Sequence, residues 1–282
     1  MSMKVGVVGF GKLGLPLALV FCRAGIEVRG VDVDPEIVRK IEERKKLRDG
    51  HLFREVNVDQ YVEDYGDRLE VSTNFGVLKG SEVVFVITQT PSLPNGKFDL
   101  RYVESGVKKA HEVNPNSVVA VSSNINVGDI GRLKEIHHDI CYNPEFIKQG
   151  TIIQDFENPN FTLIGCDEDH VGSAVRKVWQ RVHNKPIHMV SSVEAEVIKL
   201  SLNVSYTLGI TFANIIGEIC ETFGADANKV LDIVYQDRRN YKPGLGFAGP
   251  CFPRDVRCFR GICHERNILS GMRFAALLEN LN

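Results

Sequence analysis

The chain has 282 residues, with 34 Lys and Arg against 36 Asp and Glu, 43% hydrophobic and 25% charged residues, a balance that excludes disorder, collagen and coiled coil. That length predicts about two domains, each able to bury a core without a disulfide or metal staple. A formal charge of −2 argues against affinity drawn from nucleic-acid phosphates, so no nucleic-acid partner is expected.

The opening stretch, MSMKVGVVGFGKLGLPLALVF, is apolar, but glycines interrupt it from Gly6 to Gly14 and no small-residue cleavage site follows. It reads as a strand and a helix, not as a signal peptide, and no membrane partner is expected. Short β-branched runs recur at Lys4–Gly9, Glu27–Asp32, Val83–Thr88, Val118–Ser122, Phe161–Gly165 and His188–Val190, separated by amphipathic stretches. This alternation predicts a parallel sheet covered by helices. Asp99 is placed to cap a helix through about His111, and Asp167–Gln180 carries Val171, Ala174, Val175 and Val178 on one face. From Val193 to Phe223 there is no strand signal and no Pro, and Gly224 stands where a helix would stop. Gly209 and Gly217 inside that run each cost roughly 1 kcal/mol against Ala, a cost that apolar packing overrides. A helix of about 30 residues spans about 45 Å and would connect two domains. Asp226–Asn282 reads as helix, Gly-rich loop (Lys242–Pro250), helix, with no strand. The domains are therefore expected at 1–190 and 191–282. Cys22, Cys141, Cys166, Cys220, Cys251, Cys258 and Cys263 are scattered without CxxC pairs, so neither a disulfide framework nor a metal site is expected, and the compartment is read as reducing and cytoplasmic.

Gly9-x-Gly11-x-x-Gly14 follows a predicted strand and opens a predicted helix, and Asp32 ends the next strand. The first glycine permits the tight turn, the second lets backbone approach a pyrophosphate, and the third lets helix and strand pack closely. Gly9, Gly11, Lys12, Leu13 and Gly14 would cradle the pyrophosphate at a helix N-terminus. Asp32 would accept hydrogen bonds from a ribose 2′-hydroxyl and repel a 2′-phosphate, so the expected cofactor is NAD rather than NADP. Asp34 is expected only to cap the helix beginning at Pro35. The predicted class is α/β: a doubly wound, Rossmann-type sheet followed by an all-helical dimerisation domain. Exposed apolar length on the connecting helix would need a second copy to cover it.

Cys251 stands at the end of a glycine loop, and Pro253 beyond it suits the first turn of a helix, a setting that favours a thiolate. Lys199 and Asn203 lie four apart and share a helical face, where both would be able to donate to an oxyanion; the plain alternative is a solvated Lys and a surface Asn. The segment Gly246-Phe247-Ala248-Gly249-Pro250-Cys251-Phe252-Pro253-Arg254-Asp255 resembles the nucleotide-sugar dehydrogenases, the UDP-glucose and GDP-mannose dehydrogenase family. Other anchors are GFGKLGLPLA, GVDVDP, Thr88-Gln89-Thr90-Pro91, NPEF at Asn143–Phe146 and IKLSLN at Ile198–Asn203. The resemblance implies oxidation of the C6 alcohol of an NDP-hexose to a carboxylate with two NAD⁺ and a cysteine thioester. It implies Cys251 as nucleophile, Lys199 and Asn203 as oxyanion donors, Glu145 as acid/base and Asp255 as the holder of a catalytic water. Thr90 joins the cofactor set, and Phe146, Arg238, Arg239, Gly246 and Phe247 join Lys199 and Asn203 in the substrate set. The sequence departs from the family at Asn124, where a Thr is usual, at Gln149, where a Glu is usual, and at Pro250, where a Ser is usual. The chain ends shortly after Asp255, so the resemblance implies that the family's third, nucleotide-binding domain is absent and that substrate binds weakly. Competing readings are a β-hydroxyacid dehydrogenase, which would use the Lys without a cysteine, and an inactive or truncated NAD-binding dimer.

Overall fold

The computed structural model describes residues 3–43, 55–236 and 252–281. It divides into two compact units, residues 1–200 and 201–282. The first is an eight-stranded sheet of β1 (Lys4–Val8), β2 (Glu27–Val31), β3 (Leu69–Ser72), β4 (Val83–Val86), β5 (Val118–Val121), β6 (Ile140–Tyr142), β7 (Thr162–Gly165) and β8 (Ile187–Val190). The strands lie in the order β3-β2-β1-β4-β5-β6-β7-β8, a doubly wound arrangement whose direction of winding reverses between β1 and β4. The sheet is not wholly parallel as expected: β6 meets β7 antiparallel, with Tyr142 opposite Gly165.

The sheet has a core on each face, as strands buried on both sides require. In β4, Val83 and Phe85 enter one cluster while Val84 and Val86 enter the other. Helices α1 (Gly14–Arg23), α2 (Pro35–Glu42), α3 (Val58–Tyr65), α4 (Arg101–Val113), α5 (Asp129–Leu133), α6 (Ile152–Glu157) and α7 (Asp169–Val182) connect the strands. Asp34 caps α2 through the Glu36 amide at 2.9 Å. Asp99, expected as the cap of α4, stands one position earlier: Leu100 is the N-cap, and the Asp99 carboxylate accepts from the Arg101 amide at 3.1 Å. Val171, Val175 and Val178 of α7 are buried, and Trp179 beside them is 2% exposed.

Helix α8 (Ser192–Phe223) runs 32 residues and ends at Gly224, whose φ of +66° is the left-handed stop. It is long and apolar enough to cross a membrane, yet its first turns pack into the first unit. Ala195 is fully buried, and Glu196 is 2% exposed. The second unit holds the rest of α8 with α9 (Ala227–Val234), α10 (Phe252–Glu265) and α11 (Leu269–Leu281). The single helix expected after the glycine loop is two helices. Asn267 adopts φ +57° between them, and the Ile268 amide turns back to the Cys263 carbonyl at 2.8 Å, because Asn tolerates the left-handed conformation that closes a helix.

Ala195 docks where β7 carries Gly165, and a Cβ at Gly165 would stand 2.3 Å from the Ala195 methyl carbon. Overpacking at a rigid backbone contact costs roughly 1–3 kcal/mol. Gly165→Ala is therefore expected to lower unfolding free energy by about that amount in a urea titration, whereas Gly131→Ala, with nothing within 4 Å of its position, should not.

Candidate active site

A cavity of about 830 Å³ lies at the carboxyl ends of β1, β2, β4 and β5, the crevice where doubly wound sheets bind ligands. Gly9 ends β1 with φ +98°. Its amide donates to the Val31 carbonyl at 2.8 Å, and a Cβ there would come within 2.7 Å of the Ile87 carbonyl oxygen. A Cβ on Gly14 would strike the Gly9 carbonyl oxygen at 1.8 Å, whereas Gly11 has nothing within 4 Å. The first and third glycines close the turn, and the second leaves open space beside the backbone. No side chain caps α1 and its first turn holds no acidic residue, so the amides at its start face the cavity without a competing anion.

Asp32 and Asp34 line the cavity with Lys12, Leu13 and Thr90. The two Asp32 carboxylate oxygens accept from the Phe10 amide at 2.6 Å and the Asp34 amide at 2.9 Å. Asp32 thus braces the glycine loop from the neighbouring strand end. A carboxylate offers about four lone-pair positions, so two remain for a hydroxyl pair. Across the cavity, α4 presents Tyr102, Ser105, Gly106 and Lys109, and the Lys109 ammonium sits 5.0 Å from the Phe75 ring centre. Sequence reasoning missed this wall. Its signal was a helical face at i, i+3, i+4 and i+7 made of small and polar residues instead of apolar ones.

The other end of the cavity is lined by Thr88, Ser122, Ser123, Asn124, Glu145, Gln149 and Lys199. Ser123 anchors its loop by donating to the Thr88 carbonyl at 2.7 Å. Asn143 fixes the loop after β6: its amide donates to the Leu163 carbonyl at 2.8 Å, and its oxygen accepts from the Trp179 indole at 2.8 Å. Glu145 follows two residues later. Its Oε1, together with Thr88 Oγ1 and Ser122 Oγ, is sealed from solvent without a hydrogen bond of good geometry among the described residues. Lys199 reaches in from α8, donates through Nζ to the Glu145 backbone carbonyl, and lies 4.8 Å from the Phe146 ring centre. Burial pushes the Glu145 carboxyl up to about 8, against smaller downward pulls from Lys199 and Ser122. Burial pulls Lys199 below its ordinary value, opposed by Glu145. Each group is driven toward its neutral form by lost hydration and held back by the other's charge.

Asn203, one turn beyond Lys199 on α8, is exposed and falls in the second unit. Asp255 lies exposed in the first turn of α10, where Pro253 also sits. Phe146 packs its ring 5.0 Å from Phe161, beneath Lys199 rather than on the cavity wall. Cys251, Arg238, Arg239, Gly246 and Phe247 lie outside the described residues.

Residues 3–183 match the NAD binding domain of the UDP-glucose/GDP-mannose dehydrogenase family and residues 193–282 match its central domain. A UDP-glucose 6-dehydrogenase of Haloferax volcanii is 30% identical over 90% of this chain and 64% of its own length. A GDP-mannose 6-dehydrogenase of Pseudomonas aeruginosa is 29% identical over 99% of this chain and 69% of its own. The chain therefore spans about two thirds of the length of these relatives. The crystal structure of a ternary complex of GDP-mannose dehydrogenase from Pseudomonas aeruginosa superposes with a TM-score of 0.90 at 27% identity, covering 99% of this chain and 68% of that one. A UDP-glucose dehydrogenase from Pyrobaculum islandicum gives a TM-score of 0.76 at 26% identity, covering 98% and 67%.

Two outcomes follow from this geometry. Glu145 has an ordinary value of 4.5 and a folded value of about 8, so between those values the folded state keeps a proton that the unfolded state releases. Its contribution to stability is whole below pH 4.5 and lost as pH rises through 8. Urea midpoints across that range should fall with pH, and Glu145→Gln should remove that part of the slope. Asp32→Ala strips an acceptor worth about 1.5–3 kcal/mol, so NADH affinity measured by fluorescence titration should drop by roughly 10–100-fold. NADPH should already bind the wild-type chain more weakly than NADH, and equal affinity for both would show that Asp32 does not meet the ribose.

Proposed function

We propose, from the premise that this chain belongs to the UDP-glucose/GDP-mannose dehydrogenase family, that it oxidises the C6 alcohol of a nucleotide-linked hexose to a carboxylate. The observation that supports this reading is the continuity of one cavity from Gly11 and Asp32 at one end to Glu145 and Lys199 at the other. The glycine loop and the open start of α1 fit a pyrophosphate, and Asp32 fits a ribose diol. Bound NAD⁺ supplies the hydride acceptor for each of the two oxidations.

The chain's own groups divide the remaining work. The ammonium of Lys199, partly stripped of water, faces the negative charge that develops on O6 and on the tetrahedral adducts that follow. Asn203 is assigned as a second donor. Glu145, near 8, is poised to take and return protons close to neutral pH. The Cys251 thiolate adds to the aldehyde, and the second oxidation leaves an acyl thioester on that sulfur. Water held by Asp255 then attacks the carbonyl, and the thiolate departs with the carboxylate product released. Phe146, Gly246, Phe247 and the arginines 238 and 239 are assigned to substrate contact. The exposed Val204, Tyr206, Leu208 and Ile210 of α8 are assigned to a homodimer interface, where a second copy removes them from water. The described cysteines are all free thiols, which supports a reducing, cytoplasmic setting.

Asn124 and Gln149 line the cavity beside Glu145. Both are amides, and Gln149 holds a water by hydrogen bonding but takes no proton from it. Thioester hydrolysis is therefore slowed relative to its formation, by up to the roughly 10²–10⁴-fold that a general base supplies. Mixing the chain with NAD⁺ and either UDP-glucose or GDP-mannose should give a burst of NADH, then a slow steady rate. A hydroxylamine-labile adduct should be found on Cys251 by mass spectrometry, and Gln149→Glu should raise the steady rate. Cys251→Ala should abolish the adduct. NADH formation that proceeds unchanged in Cys251→Ala would reject the thioester route.

A further inference from the structure

Glu196 is a carboxylate in an expensive place. It lies on α8 three residues before Lys199 and is 2% exposed. One oxygen accepts from the Gly128 amide at 2.6 Å and the other from the Ile130 amide at 2.8 Å. These donors stand at the entry to α5, where Gly128 takes φ +93° and has no side chain to cap the turn. The amides of Gly128, partly exposed, and Ile130, buried, take two acceptors, and a carboxylate supplies both, whereas a glutamine supplies one acceptor and two donors. Burying a charge without such partners would cost several kcal/mol, so retaining it here implies that both bonds are used.

The bonds join the two walls of the site. The segment from Ser122 to Ile130 carries Ser122, Ser123 and Asn124 on the cavity and then reaches the amides that Glu196 holds. Asn126 stiffens the intervening turn by exchanging hydrogen bonds with Phe98 at 2.9 and 3.2 Å. On the helix side, Ser192 holds the start of α8 through Asp167 at 3.0 Å. One turn later, Glu196 and Lys199 share a face at i and i+3. Ser192 fixes where α8 begins, while Glu196 fixes its rotation against the loop. We propose that Glu196 is a positioning residue that keeps the Lys199 ammonium and the Ser122–Asn124 wall in register on either side of Glu145. Its catalytic consequence rests on the function proposed above; its effect on Lys199 does not. Among titratable groups, Tyr142 feels the Glu196 charge and Glu145 feels that of Lys199.

The test compares the full chain with Glu196→Gln and Glu196→Asp. The readouts are thermal unfolding, the pH midpoint of Lys199 acylation by a limiting amine reagent with peptide mapping, and kcat and KM with NAD⁺ and nucleotide sugar. In Glu196→Gln the Lys199 midpoint should rise toward the ordinary lysine range as the cleft loosens. The kcat value should fall by about 10–100-fold with little change in KM, the scale of loss from a displacement near 1 Å. Glu196→Asp, which keeps both acceptors on a shorter arm, should recover part of each effect, and it decides the matter if the glutamine variant does not fold. A folded variant with lower thermal stability but an unmoved Lys199 midpoint and kcat would overturn the proposal. If the wild-type chain turns over neither UDP-glucose nor GDP-mannose, the functional reading fails while the Lys199 midpoint still decides the positioning role.

Discussion

A carboxyl and an ammonium taken out of water in the same cleft each lose hydration that the other's charge partly restores. At the end of the cavity this constraint governs Glu145 and Lys199. Glu145 is pushed up to about 8 and Lys199 is pulled down, so the two approach one another in proton affinity from opposite sides. Glu145, near 8, is thereby placed to take and return a proton close to neutral pH, which is the task the proposed oxidation sets its acid and base. Much of the first unit's architecture serves to hold the two groups there despite the desolvation.

The holding is done by backbone. Glu145 is fixed through its neighbours: Asn143 bridges the Leu163 carbonyl and the Trp179 indole, locking the end of β6 to β7 and to α7. The antiparallel pairing of β7 against β6 sets Tyr142 opposite Gly165 and leaves the Leu163 carbonyl within reach of the Asn143 amide. Lys199 is fixed by its bond to the Glu145 carbonyl oxygen and by the Glu196 and Ser192 contacts of α8. At the cofactor end, Asp32 braces the glycine loop through the Phe10 amide. The same carboxylate that would choose between NAD and NADP therefore also shapes the turn that holds the pyrophosphate. Both ends of the cavity use a buried or half-buried carboxylate on backbone amides as the structural fastener, Glu196 at one and Asp32 at the other.

The runs that became β1, β4, β5 and β7 were legible as strands because nearly every residue in them is apolar and buried. β3, with its half-exposed LEVS, and β6, only three residues long, carry too little pattern to stand out. Their pairing supplies what their sequences lack. The reversal at β7 was invisible because an apolar run has no direction of its own. The glycine fingerprint and Asp32 were readable from local spacing. Glu145 and Lys199 stand 54 positions apart, and only resemblance to a known family paired them. Glu196 was missed because the two acids of VEAEVIK look alike, as residues of a solvated helix face. What sets it apart is the pair of amides at Gly128 and Ile130, which only the fold delivers.

Glu145 and Lys199 share one desolvated cleft, and each shifts the other's charge. Site-resolved carboxyl NMR of Glu145, followed through a pH titration, tests it most directly. The midpoint is expected near 8, rising further in Lys199→Met because the ammonium's downward pull is gone. A midpoint in the ordinary carboxylate range, indifferent to Lys199→Met, would contradict it.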